Sequence, residues 1–385
     1  MGVVASSRPS WVQVDLEALA WNLSVLKQLV SPSKFCAVVK ADAYGHGAVE
    51  VARKALSSGA DWLAVAVLEE GMELREAGVD APVLLLSEPT GDPRILLKYR
   101  LTPTVYSQAC VSALDKAAAT SSVRLPVHLK LDTGMHRLGA DPRCALTLGR
   151  VIQSSTSLVL EGLWTHLARA GELDAQSVGA QLELLLGARE VLSTNGIAPN
   201  LLHAANSAGA IAFPSARLQM VRCGIALYGY SPFADGSVDP SSLKVLSKLR
   251  PVASVHSRIA HMRKVEEGEM VSYGYGFKAP RPTVVAVLPI GYADGISRRA
   301  FPAGLHVLVR GRRCPIIGNV TMDHVMVDVT DCPGASPGDE VVLIGSQDGC
   351  VITAEQWAQA IGTISYEVLS RLGSRLPRVV LGGVG

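Results

Sequence analysis

Residues 37–51 read AVVKADAYGHGAVEV, and Lys40 in that stretch closes an apolar, strand-like run, FCAVV, directly before a small, polar turn segment. A lysine held against apolar packing loses some of its ammonium character, because burial penalises the charged form. Its free amine is then a nucleophile toward aldehydes and can form a Schiff base. Other apolar runs also end on polar residues: Lys130 and Asp132 in VHLKLD, His166 in LVLEGLWTHL, His203, Asn206 and Ser207 in LLHAANS, and Arg222 in MVRCG. Small residues open turns after the last two runs, Ser207-Ala-Gly209 and Gly224-Ile225. Backbone N–H groups in such turns bind phosphate. A reactive lysine together with a phosphate cradle points to pyridoxal 5′-phosphate as cofactor. Arg222 would then face the pyridine nitrogen and keep it unprotonated, since a guanidinium does not give up its proton at ordinary pH.

The elements that must position these groups follow from the rhythm of the chain. Eight apolar, β-branched runs, FCAVVK, WLAVAV, APVLLLS, LTPTVY, VHLKLD, LVLEGLWTHL, NLLHAAN and MVRCGIALYG, alternate with helical patterns such as VSALDKAAA and QSVGAQLELLLGAREVL. The second of these helices is expected to stop at Asn195-Gly196 in a left-handed cap. Runs that are apolar throughout belong to strands covered on both faces, so the fold class expected is α/β, a (β/α)8 TIM-type barrel with its chemistry at the C-terminal strand ends. The Gly, Pro, Asp and Ser density of SPFADGSVDPSS, residues 231–242, marks a linker. Short strands punctuated by Gly and Pro follow it, with one helix at TAEQWAQAIG, and predict a mostly β C-terminal domain. The expected organisation is an N-terminal tail over 1–10, the barrel over 11–240 and the β-domain over 241–385.

The 385 residues carry 36 Lys and Arg against 34 Asp and Glu, with no cluster of either sign, which argues against nucleic acid or a membrane surface as partner. Seven cysteines without a CxxC pair suit a reducing cytoplasm. No HxH or HExxH spacing supports a metal site.

With these residues in place the chain resembles bacterial alanine racemases, a family of fold-type III pyridoxal-phosphate enzymes. VVKADAYGHG is similar to the family's cofactor-lysine signature. KLDTGMHRLG, HAANSA, VRCGIALYG, VSYGYGF, PIGYADG, GNVTMDH and ISYEVL follow in the family's order. The resemblance implies that Lys40 carries the cofactor and acts as one catalytic base, and that Tyr273 is the second base, supplied by the other subunit of a homodimer. It implies that Arg222 meets the pyridine nitrogen and that Tyr44, Asn206, Ser207, Gly224, Ile225 and Tyr366 belong to the cofactor site, mainly at its phosphate. Arg137 and the backbone of Met322 would hold the substrate carboxylate, with Lys130 bracing the arginine and Tyr292 beside the substrate. His166 would orient Tyr273. His136 stands where some members have glycine.

Racemisation through a planar carbon needs a proton acceptor on one face and a donor on the other, and a lysine and a tyrosine can exchange those roles. A tyrosine serves as base near neutral pH only in a positive environment, for which the pair His166 and Arg222 is the expected source. The implied activity is interconversion of L- and D-alanine, supplying D-alanine for peptidoglycan. Alternatives are an amino-acid decarboxylase of the same fold, discriminated by carbon dioxide release, and a racemase of broader specificity.

Overall fold

The structure is a computed structural model, and it describes residues 8–119, 124–234 and 238–382. Residues 1–7 of the expected N-terminal tail lie outside this range. The chain forms two compact units: one comprises Ala18–Ala43 and Ala48–Arg250, the other the residues up to Glu17, Tyr44–Gly47 and those from Pro251 onward.

Strand β1 is Ser10–Asp15. The eight strands of the first unit follow as β2 (Lys34–Val38), β3 (Trp62–Val65), β4 (Val83–Leu85), β5 (Thr104–Val105), β6 (Leu125–Lys130), β7 (Leu158–Trp164), β8 (Leu201–His203) and β9 (Met220–Cys223). Each coincides with one of the eight apolar runs, β2 and β6 beginning one and two residues before theirs. Two parallel sheets, β4-β3-β2-β9 and β5-β6-β7-β8, are joined by the parallel bridge Leu84 to Thr102 and by hydrogen bonds from Gln219 N to Leu202 O and from Arg222 N to Ala205 O. That closes the barrel. Its strands are buried almost throughout, as their unbroken apolar character requires of strands covered on both faces. The helix Ala175–Thr194 is capped by Asp174, which accepts from Ser177 N, and ends where Gly196 takes φ 76°.

Two boundaries differ from the expected ranges. β1 alternates buried and half-buried residues and pairs antiparallel with Ala253–Arg258 and parallel with Arg378–Leu381. Such alternation fits a sheet with one covered face, so residues 11–17 belong to the second unit and not to the barrel. Within the expected linker, Asp239 accepts from Ser241 N and Ser242 N and Pro240 opens the first turn, so a helix forms over Pro240–Leu246. The barrel unit therefore continues to Arg250.

The second unit is mostly strands. Its largest sheet has the order Arg312–Pro315, His306–Val309, Glu340–Gln347, Ala253–Arg258, β1, Arg378–Leu381. A second sheet, His261–Val265, Thr283–Leu288 and Val325–Asp328, contributes Val265, Val285 and Met326 to a small core with Val271, Ala279 and Ile317. The helix Ala354–Ile361 begins with a capping box of Thr353 and Gln356, where TAEQWAQAIG placed it.

Candidate active site

Lys40 leaves β2 into the helical turn Lys40–Gly45, which is left-handed: Ala41, Asp42, Ala43 and Tyr44 have φ of 52, 51, 52 and 56°, and Gly45 has 80°. Non-glycine residues rarely adopt this conformation because Cβ crowds the backbone. The turn is held by Glu70, whose carboxylate accepts from Ala41 N at 2.6 Å and from Ala66 N at 2.7 Å. Asp42 accepts from Ala48 N at 2.8 Å, which starts the next helix. Burial lowers the Lys40 pKa, Arg137 adds to that, and Glu70 opposes it. A lowered pKa leaves more of this amine neutral at a given pH.

At the end of β6, Lys130 lies 4.4 Å above the Trp164 ring, and Arg222 is 4.5 Å from the same ring. Burial first, then Arg222 and Arg137, pull the Lys130 pKa down to about 8. Asp132 accepts from the backbone N–H groups of Gly134, Met135 and His136, each at 3.0 Å, and so shapes the loop that carries the exposed Arg137. His136 takes φ 53° in that loop, a conformation open to glycine without strain.

Arg222 is only 3% exposed. Its guanidinium donates to Thr165 O at 2.9 Å, to Ala204 O at 3.1 Å and to His203 Nδ1 at 2.8 Å. Burial lowers its pKa to about 10, which leaves it charged at neutral pH. His166 is a longer neighbour, its Nδ1 at 3.5 Å from Arg222. Burial and then the charges of Arg222, Arg137, Lys130 and Lys40 hold the His166 pKa well below 6.5. Within the expected positive pair, burial and these cations therefore favour an uncharged His166, and the positive charge sits on Arg222.

Ser207 opens the short helix Ser207–Ala212, and its hydroxyl accepts from Gly224 N at 3.0 Å. Asn206 caps that helix through Gly209 N at 2.9 Å. Ser207, Gly224 and Ile225 are thereby gathered at the C-terminal ends of β8 and β9. Trp164, stacked on His203 at 5.4 Å and 11°, was not singled out from the sequence. Its position in the LEGLWTH run, two residues before His166, places it on the same strand face and could have signalled it.

The second unit gathers the remaining candidates in two groups. Tyr44 and Tyr366 have ring centroids 6.0 Å apart. Tyr273, Tyr292 and Met322 line one open groove of about 1120 Å³ with Thr321 and Asn319. Asn319 donates to Tyr273 O at 2.8 Å and accepts from Ser272 Oγ at 2.7 Å, which fixes the tyrosine turn. Tyr292 N donates to Thr321 O and Ala293 N to Met322 O, and a Cβ on Gly291 would lie 2.4 Å from both carbonyls. Glycine is what allows that approach. Tyr273 is 77% exposed on this surface.

Residues 14–232 match the family described as alanine racemase, N-terminal domain, and residues 252–380 that described as alanine racemase, C-terminal domain. The chain belongs to the alanine racemase family. An alanine racemase of Symbiobacterium thermophilum is 41% identical over 372 residues, 96% of this chain and 97% of that one. The crystal structure of alanine racemase from D-cycloserine-producing Streptomyces lavendulae superposes with a TM-score of 0.91 at 34% identity, covering 98% of both chains. That from Bacillus anthracis with bound L-Ala-P gives 0.88 at 35% identity, covering 97% of this chain and 95% of that one. The barrel followed by a β-rich domain is the architecture of these alanine racemases, and the family is one of racemases, hence isomerases.

The chain's own residues fit pyridoxal phosphate. A lysine amine with a lowered pKa, a hydroxyl and backbone N–H groups in a small-residue turn, and a buried guanidinium with a fixed donor set lie on one barrel. No helix among the described residues is long and apolar enough to cross a membrane.

Proposed function

We propose that this protein is a pyridoxal 5′-phosphate-dependent alanine racemase that interconverts L- and D-alanine as a cytoplasmic homodimer and supplies D-alanine for peptidoglycan. The observation that carries the reading is Lys40, an amine at the end of a barrel strand with its pKa lowered by burial, in a chain that matches the family from end to end. When bound, the cofactor supplies an electron sink for the carbon that loses its proton. Lys40 holds the cofactor's aldehyde carbon and takes or returns the substrate's α-proton on one face. Tyr273 of the partner subunit does so on the other, and its exposure on an open groove suits a side chain offered to a second copy.

Ser207 and the backbone of Gly224 and Ile225, with Tyr44 and Tyr366, are the phosphate contacts of this reading. Arg222, still charged at neutral pH, would hold the ring-nitrogen end of the cofactor and, having no acceptor to offer, would leave that nitrogen without a proton. Arg137 and the backbone N–H of Met322 from the partner orient the substrate carboxylate, with Lys130 behind the arginine and Tyr292 at the side-chain pocket. His166, which burial and Arg222 hold uncharged, would hydrogen-bond to the tyrosine and orient it.

The test is borohydride reduction of purified, cofactor-loaded protein, followed by peptide mapping and chiral analysis of alanine. A reduced pyridoxyl group on Lys40 and formation of D-alanine from L-alanine are expected. Labelling elsewhere, or carbon dioxide release in place of D-alanine, overturns the reading.

A further inference from the structure

Four side chains in the barrel are joined end to end. Arg222 Nη1 lies 2.8 Å from His203 Nδ1, His203 Nε2 lies 3.0 Å from His128 Nδ1, and His128 Nε2 lies 3.3 Å from Glu161 Oε2. Both imidazoles are fully buried. The Glu161 side chain is 30% exposed and lines, with Lys34 and Gln219, an open hollow of about 530 Å³ at the N-terminal ends of β2 and β9. The row therefore runs from the guanidinium to the opposite face of the barrel.

Its proton order is determined by its two ends. A guanidinium only donates and a carboxylate only accepts. His203 must then accept at Nδ1 and, as a neutral ring, carry its proton on Nε2, from which it donates to His128 Nδ1. His128 in turn carries its proton on Nε2 and donates to Glu161. Both rings are held uncharged chiefly by burial, and for His203 also by Arg222. With neutral rings no other arrangement satisfies all three contacts. The rings are confined as well: Trp62 lies 5.3 Å from His128, Trp164 stacks on His203, and a Cβ on Gly162 would stand 2.5 Å from His128 Nδ1.

We propose that Glu161 and His128, neither of which reaches the reacting atoms, are positioning residues that set the His203 tautomer and so hold the Arg222 guanidinium toward the cofactor's ring nitrogen. The cofactor half of this statement rests on the function proposed above; the proton order does not. The opposite order would place a His203 Nδ1–H against an Arg222 N–H at 2.8 Å and displace the guanidinium.

Long-range ¹H–¹⁵N spectra of the full-length protein labelled in histidine, with and without pyridoxal phosphate, read the tautomers without any substitution. His128 and His203 are expected as Nε2–H forms in both. An Nδ1–H or doubly protonated form of either overturns the proposal. Two substitutions test the link to the site. Glu161→Gln keeps a carbonyl acceptor and should leave kcat within about threefold of the parent, as a partly exposed substitution that preserves its hydrogen bond. Glu161→Lys offers only donors and should lower kcat about ten- to a hundredfold, the loss of one charged hydrogen bond, with KM for alanine unmoved and the visible band of the bound cofactor shifted. Equal losses in both variants, or a Glu161→Lys enzyme with parental kcat and spectrum, refute it. Should Glu161→Lys not fold, the tautomers of the unsubstituted protein still decide. A chain with the expected tautomers that fails to racemise alanine would count against the proposed function and leave the proton order standing.

Discussion

The resemblance to alanine racemases implies a carbamylated Lys130, and the size of that effect can be worked from its surroundings. With a pKa of about 8, roughly a fifth of its amine is neutral at pH 7.4, against about one part in a thousand at the ordinary value of 10.5. Only the neutral amine attacks carbon dioxide: the nitrogen–carbon bond forms, one C=O electron pair moves to oxygen and a proton leaves to solvent. The product is a carbamate anion. Arg222 and Arg137, which repel the ammonium and lower its pKa, attract that anion. The same two charges therefore favour the reaction twice, first by freeing the amine, roughly two-hundredfold, and then by holding the product. Incubation with ¹³C-bicarbonate should give one carbamate resonance per chain, present in Lys40→Ala and lost in Lys130→Ala. Its rate of formation per dissolved carbon dioxide should rise with pH and level off above about 8. A signal that survives Lys130→Ala, or a rate still climbing toward pH 10, would refute the reasoning.

Three further outcomes are expected. Lys40→Ala and Tyr273→Ala chains, each inactive alone, should regain about a quarter of parental activity when mixed in equal amounts and exchanged, because half the dimers are hybrids with one complete site; no recovery in exchanged dimers argues against shared sites. Gly162→Ala should destabilise the barrel by about 1–3 kcal/mol in urea titrations through its clash with the His128 ring, and an unchanged midpoint contradicts that packing. Glu70→Gln removes the charge that raises the Lys40 pKa, so the pH midpoint for cofactor capture by the apoprotein should move down; a move up reverses the assigned sign.

The barrel was legible because its strands advertise themselves: WLAV and VLL have no polar residue to spare for solvent, and a parallel strand under helices needs none. β1 was misplaced for the complementary reason, since its alternation marks a one-sided sheet but its partners, at Ala253–Arg258 and Arg378–Leu381, are far away in sequence. Lys40, Lys130 and Arg222 could be found as polar residues closing apolar runs. His128 was passed over although a period of two puts it on the face of β6 that carries Lys130. The charge of His166 could not be read from sequence, because it depends on burial and on four cations brought close by the fold. The handedness of the turn after Lys40 was equally hidden, as nothing in Ala-Asp-Ala-Tyr prefers positive φ.

That mirror-image turn leaves the nucleophile on a spring. Each of its four non-glycine residues stores about 1–2 kcal/mol, and only anchors such as the Glu70 carboxylate keep it wound. Amide exchange at Ala41–Ala43 should therefore outpace that of β2, with Lys40 losing its aim well before the barrel itself melts.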